Sequence, residues 1–320
     1  MIVTVTPNPA FDRTVVLDEL KPGQVNRAKR TRVDLGGKGI NVAKNVKAIG
    51  GEAVCLGFMG ENDVFALIYL NSLGIGHDFT TIRHNIRVNT KIIDEHNSAY
   101  TDINEPGPEI APSEQQNLKQ KIKVWSQKAN ILVLSGSLPP GINYDFYKEV
   151  IEEIKFLDIK IILDADKEAL KSGIDAGPYM IKPNIHELSE LVGKELVFPD
   201  EIIQASLRLI QKGISIVAVS MGDRGSITVT ADGAFITPAL NVKVRGTVGA
   251  GDAMVAGFAL ALDQSLSLTD AVKMAAAASS AAVTREGTEP VDFDTFKALL
   301  SQVKIEKVPL NRNAGRFFCL

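Results

Sequence analysis

The run Ile131-Leu132-Val133-Leu134, opened by Asn130 and closed by Ser135-Gly136-Ser137-Leu138-Pro139-Pro140-Gly141, leaves this chain few folds to choose from. An unbroken apolar strand must be covered on both faces, which is the situation of a central strand in a parallel sheet flanked by helices. Short apolar or β-branched runs at Ile2 to Thr6, Ala53 to Phe58, Lys160 to Leu163 and Ile216 to Ser220 repeat the signal. Helical patterns at 38–49, 62–73, 113–125 and 144–156 separate them, and the alternation implies an α/β fold with a doubly wound, mostly parallel sheet. Ser113 with Gln116 reads as the capping box of the third helix, and Ser267 with Asp270 opens an Ala-rich helix to Val283. Thr14 to Val33 and Val88 to Tyr100 interleave polar and basic residues with apolar ones, the pattern of a small sheet with one wet face.

In such a fold ligands gather where strands hand over to helices. The most pointed handover is Val244 to Leu262, where an alternating Val-rich segment, read as a strand, meets Gly249-Ala250-Gly251-Asp252 and an apolar helix. Backbone amides at that helix start can hold an anion. Asp252 beside them is either an N-cap or a base that removes a proton from a hydroxyl attacking a phosphate. Asp12 follows the break Pro7-Asn8-Pro9 and is either a sugar-hydroxyl ligand or a turn carboxylate. Gly36-Gly37-Lys38-Gly39 opens a helix with Lys38 and Asn41 in its first turn, yet lacks the upstream glycine and following Ser or Thr of a P-loop. Asn184 and Glu187 form a capping box after Lys182-Pro183, Asp164 and Asp166 close a strand, and His77, His84 and His96 have no partner at metal spacing.

Gly36 to Gly39, Ser135 to Pro139, Lys182 to Asn184 and Gly249 to Asp252 occur in this order, and through them residues 1–303 resemble the ribokinase-like, PfkB-type carbohydrate kinases. Within that family the likeness is first to the 1-phosphofructokinase branch and next to the tagatose-6-phosphate kinases. The resemblance implies a three-layer domain over 1–303 with a β lid from about 12–34 and 86–102, and a homodimer joined through the lids. It implies ATP-dependent transfer to the C6 hydroxyl of fructose 1-phosphate, with Mg2+, giving fructose 1,6-bisphosphate and ADP. Asp252 would be the base, and the amides of Gly249, Ala250 and Gly251 would hold the transferred phosphate. Asp12, Gly37, Lys38, Asn41, Arg87 and, less firmly, Arg27 would hold the acceptor, with Gly136 and Ser137 beside it. Lys182, Asn184, Ser220, Gly222, Gly225, Val248 and Ala278 would lie on the nucleotide side, Glu187 near magnesium through water, and Asp164 behind that shell.

Tagatose 6-phosphate and fructose 6-phosphate remain alternative acceptors, because motifs do not resolve the position of a phosphate in a pocket. A nicotinamide oxidoreductase needs Gly-x-Gly-x-x-Gly after its first strand, where this chain has Thr6-Pro7-Asn8-Pro9. A noncatalytic sugar-phosphate sensor would be expected to lose the aspartate or the anion-holding turn, and both are present. With 320 residues, 45% hydrophobic, and a formal charge of -3, the chain can bury a full core and is a poor partner for nucleic acid. Cys55 in an apolar run and Cys319 near the end make a structural disulfide improbable and suit a reducing cytoplasm. Neither a signal peptide nor an apolar run of membrane-spanning length is expected. Residues 304–320, which include Pro309 to Leu320, read as a variable tail.

Overall fold

Parity along the strands decides the layers. In Ile2–Thr6, Ile2 faces one apolar cluster and Val3 and Val5 the other; Ile131 and Val133 divide from Leu132 and Leu134 in the same way, as do Ile216 and Ala218 from Val217 and Val219. Each such side chain withdrawn from water contributes roughly 1.5–3 kcal/mol, so two covers are required and neither can be dispensed with. The structure, a computed structural model, describes residues 1–309. Its main sheet runs from edge to edge as Glu306–Pro309, Gly233–Thr237, Ser226–Val229, Ile216–Ser220, Met180–Ile181, Lys160–Asp164, Ile131–Ser135, Ile2–Thr6, Ala53–Gly60 and Gly76–His77, with Thr80–Ile82 also paired to Ala53–Gly60. Pairing is parallel from Ile216–Ser220 to Gly76–His77 and antiparallel across the other edge. It is an α/β fold with a mostly parallel sheet and a small second sheet.

One cover consists of the helices Lys38–Ala48, Val64–Ser72, Ala250–Asp263, Leu268–Ala282 and Phe293–Leu300. The other consists of Pro112–Ser126, Phe146–Ile154, Lys167–Asp175, Ile185–Val192 and Pro199–Ile210. The Ala-rich helix approaches its neighbour closely, as its small side chains predict: a Cβ on Gly257 would lie 2.6 Å from Ala275 Cα. Ser267 and Asp292 cap their helices by accepting from Asp270 N and Thr295 N. No helix among the described residues is long and apolar enough to cross a membrane.

The second sheet, in the order Arg30–Gly36, Ala10–Leu17, Arg87–Asp94 and Ala99–Ile103, is the small sheet expected as the lid and takes that label below. Its first hairpin begins earlier than the polar pattern indicates, so Asp12 sits inside a lid strand, opposite Asp34 and Asn89, and not in a loop after the first strand.

Three further expectations are corrected. The box at Ser113 and Gln116 is absent: the helix starts at Pro112, which has no N–H to lose, and Glu114 Oε2 accepts from Ala111 N at 2.7 Å. The Val-rich segment before Gly249 is not a strand. Val242 packs on the core while Val244 is 59% exposed, and Arg245 N bonds Val283 O at 2.8 Å, so the alternation comes from lying across a helix end. The expected tail begins as sheet, because Glu306–Pro309 pairs with Gly233–Thr237; the remainder, with Cys319, lies outside the described residues.

Candidate active site

Gly249 takes φ 80°, a left-handed conformation open to glycine, and turns the chain into the helix Ala250–Asp263. Ala250 N donates to Thr247 O at 3.4 Å, and a glycine turn that opens a helix is the kind of backbone that can hold an anion. Asp252 lies in its first turn, buried, with Oδ2 accepting from Asn41 Nδ2 at 2.8 Å. Burial, followed by the negative charge of Asp164, pushes its carboxyl up to about 6, against the pull of Lys38, Asn41 and Lys182. A carboxylate tuned to that range takes a proton readily near neutral pH.

Beside it stands a buried ion-pair group. Asp164 Oδ1 accepts from Lys38 Nζ at 3.0 Å and lies 3.5 Å from Lys182 Nζ. Burial would raise the Asp164 carboxyl, but Lys182 and then Lys38 outweigh it and hold the group below its usual range. Lys182 reaches the glycine turn, since a Cβ on Gly251 would lie 3.2 Å from its Nζ. Gly39 is required by the fold: its Cβ would fall 2.5 Å from Thr6 Oγ1, so this glycine serves close packing on the first strand and not close approach to a ligand.

The lid supplies the opposite wall. Asp12 Oδ1 accepts from Asn89 Nδ2 at 3.0 Å, and burial raises the Asp12 carboxyl above its usual range. Arg87 Nη2 donates to Asn8 O at 3.2 Å and Ser137 Oγ at 3.4 Å, while Nη1 reaches Glu105 O at 3.1 Å. Its Nε is buried without a partner, as are Asn89 Oδ1 and Asn41 Oδ1. Unpaired buried donors and acceptors cost about 1–3 kcal/mol each, a cost that a bound polar ligand relieves. Asp12, Gly37, Lys38, Asn41, Arg87, Asn89, Val248, Gly249 and Asp252 line one cavity of about 1390 Å³.

Asn184 accepts from His186 N and Glu187 N, and Glu187 Oε2 accepts from Asn184 N at 2.7 Å, so the predicted box is present. Ser220 joins the same strand-end cluster by donating its N–H to Pro183 O at 3.1 Å. Gly222 and Gly225 form the turn that follows, and Gly136 O accepts from Tyr147 Oη at 2.9 Å. Most of the expected nucleotide side, Lys182, Asn184, Glu187, Ser220, Gly222 and Gly225, does not line the cavity, and neither do Gly136, Ser137, Ala250, Gly251, Arg27 and Ala278. Arg27 is exposed on the connection between lid strands and does not line it, and Ala278 is 0% exposed inside the helix core, so it offers a ligand no surface. Asp166 precedes the helix Lys167–Asp175 without capping it through its side chain.

Sequence reasoning passed over Lys44. Its Nζ, fully buried, donates to Leu35 O at 2.7 Å and Thr288 O at 2.8 Å, tying the root of the lid to the loop after the Ala-rich helix. Burial pushes its ammonium down to about 8, with Asp34, Asp12 and Asp252 resisting. No local signal marks it, because Lys38, Asn41, Lys44 and Asn45 recur at helical spacing as a polar stripe, and it is the fold that buries Asn41, Lys44 and Asn45. Among the described residues no group of three or more His, Cys, Asp or Glu side chains could hold a metal ion.

Comparison with known proteins gives the chain a family. Residues 6–294 match the pfkB family of carbohydrate kinases. The chain is 33% identical over 310 residues to a 1-phosphofructokinase of Borreliella burgdorferi, covering 96% of this chain and 99% of that one. It is 34% identical over 310 residues to a 1-phosphofructokinase of Haloferax volcanii, with the same coverage of 96% and 99%. Among solved structures, phosphofructokinase-2 from Escherichia coli in complex with fructose-6-phosphate superposes with a TM-score of 0.86 at 27% identity, over 94% of this chain and 98% of that one.

Proposed function

This chain belongs to the pfkB family of carbohydrate kinases, and we propose that it transfers the terminal phosphate of ATP to the C6 hydroxyl of fructose 1-phosphate. The observation that carries the reading is that Asp252, at the glycine turn, opens onto the same cavity as the guanidinium of Arg87 and the lid carboxylate Asp12. One end of that cavity suits a phosphate in transfer; the other suits a sugar already carrying one. Two 1-phosphofructokinases share 33% and 34% identity with this chain over 96% of its length, which supports the 1-phosphate acceptor.

In this reading Asp12 orients the sugar hydroxyls, and Arg87, with Lys38, holds the phosphate already present. Asp252 removes the C6 hydroxyl proton as that oxygen attacks the terminal phosphorus in line, and ADP leaves. The turn amides of Gly249, Ala250 and Gly251, with Lys182, offset the charge that develops. Asn184, Ser220, Gly222, Gly225 and Val248 are the proposed nucleotide side. Magnesium, when bound with the nucleotide, neutralises phosphate charge. The donor set fits that use: Glu187, in the first turn of the helix Ile185–Val192, has one oxygen committed to Asn184 N, which suits an ion that would keep most of its ligands as water and phosphate. Phosphorus NMR of a reaction with ATP and fructose 1-phosphate tests the proposal. Fructose 1,6-bisphosphate and ADP should appear together, whereas binding without turnover would make the protein a sensor and overturn the kinase reading.

A further inference from the structure

Asp164 closes the strand Lys160–Asp164 with 1% of its surface exposed, and among the described residues the cations paired with its carboxylate are two lysines from different elements. Lys38 comes from the first turn of the helix Lys38–Ala48 and Lys182 from the end of the strand Met180–Ile181, and both reach the same oxygen, Oδ1. The other oxygen, Oδ2, is buried with no hydrogen bond. A carboxylate so placed stays ionised only through the lysines, and the lysines, which would otherwise repel each other, stay adjacent only through it. With Asp252 ionised, the four groups sum to no net charge.

We propose that Asp164 is a positioning residue for phosphoryl transfer: it holds the ammonium groups of Lys38 and Lys182 together beside the glycine turn and offsets their charge at Asp252. Left alone beside two cations, Asp252 would keep its negative charge and surrender its use as a base. With Asp164 present the lysines are preorganised before any phosphate arrives, so no rearrangement is required when charge moves in the transition state. The charged groups that face Asp252 are Asp164 from its strand, Lys38 and Lys44 from the first helix, and Lys182 from the neighbouring strand end. The inference rests on the reading of Asp252 as the base, and its experiment has one arm that does not depend on it.

Asp164→Asn removes the shared charge at constant size. In the full-length protein with ATP and fructose 1-phosphate, the acid limb of kcat should move down by about one pH unit, because two uncompensated cations now stabilise ionised Asp252. The plateau should fall roughly 10- to 100-fold, with no rise in the KM for ATP. Lys38→Met removes a cation from the same cluster and should move the limb the opposite way. Asp164→Glu, which keeps the charge, should restore part of the plateau. Damage to packing alone would not shift one limb in two directions, and an unshifted limb in folded Asp164→Asn overturns the proposal. If that variant does not fold, the Lys38→Met limb decides, and no upward shift overturns it. The independent arm is acetylation by acetic anhydride, read peptide by peptide: Lys38 and Lys182 should label several-fold faster in Asp164→Asn, and equal labelling overturns the proposal. A wild-type protein that turns over no fructose 1-phosphate would defeat the acceptor assignment and leave the labelling arm to judge Asp164.

Discussion

Every residue of the strand Ile131–Ser135 is buried, whereas every residue of the lid strand Ala99–Ile103 is exposed. The first kind of strand brings a fixed loop to the C-terminal end of a sheet locked between two helical layers, and the buried residues proposed to serve the transfer, Asp164, Lys182 and Asp252, stand at that end. The second kind belongs to a four-stranded sheet that carries Asp12, Asn89 and Arg87 on one face. The difference teaches a division of labour in which the rigid layer would do the chemistry and the less buried sheet would recognise the acceptor.

The division is broken most sharply at Asp252. Asp252→Asn keeps size and hydrogen-bonding capacity while removing the proton acceptor, so kcat should fall ~10²–10⁴-fold with both KM values little changed. The variant should melt no lower than wild type at pH 7.5. The sign follows from the raised carboxyl: a group held at about 6 in the fold and 3.8 outside it burdens the native state once pH exceeds that window, and Asn carries no such burden. Near-normal turnover would move the chemistry elsewhere.

Arg87→Ala attacks the other side. Loss of a charge-assisted contact to the acceptor's phosphate should raise the acceptor KM about 10- to 100-fold and the ATP KM far less. Equal effects on both would erase the proposed boundary between regions.

Lys44 joins the regions, so its removal should show in stability first. Lys44→Met leaves Leu35 O and Thr288 O without their buried donor, at roughly 1–3 kcal/mol for each carbonyl. Because burial lowers this ammonium from 10.5 to about 8, the wild type should gain stability as pH rises from 8 towards 10.5, and the variant should lack that gain. Denaturant melts of both proteins at pH 7.5 and 9.5 check the sign.

The smallest effect concerns assembly. Val33, Tyr100 and Ile103 are exposed on the lid strands, and a small sheet keeps two wet faces with difficulty. We expect a homodimer joined there, seen by light scattering at assay concentration and weakened by Ile103→Lys. A monomer at that concentration would leave the lid to work alone.

The rigid layer was the more legible half. A fully apolar run has one reading, and the glycine turn, the Asn184–Glu187 box and the caps at Ser267 and Asp292 are written in neighbouring residues. The lid was recognisable by its polar alternation, but Asp12 was misplaced because Pro7-Asn8-Pro9 looks like the start of a loop, and the chain instead passes straight into a second strand. Val242 and Val244 mimic a strand because a segment crossing a helix end also alternates between covered and open sides. Asp164 and Lys44 were undervalued or missed for a different reason. One partner of each lies 126 and 244 residues away, and no local pattern marks a lone charge that the fold will bury.

The measurement that tests the central claim most directly is kcat/KM, at saturating ATP, for fructose 1-phosphate, tagatose 6-phosphate and fructose 6-phosphate under one set of conditions. The account predicts a preference of at least ~10-fold for fructose 1-phosphate, equivalent to about 1.4 kcal/mol in the transition state. A higher kcat/KM for either 6-phosphate would contradict it.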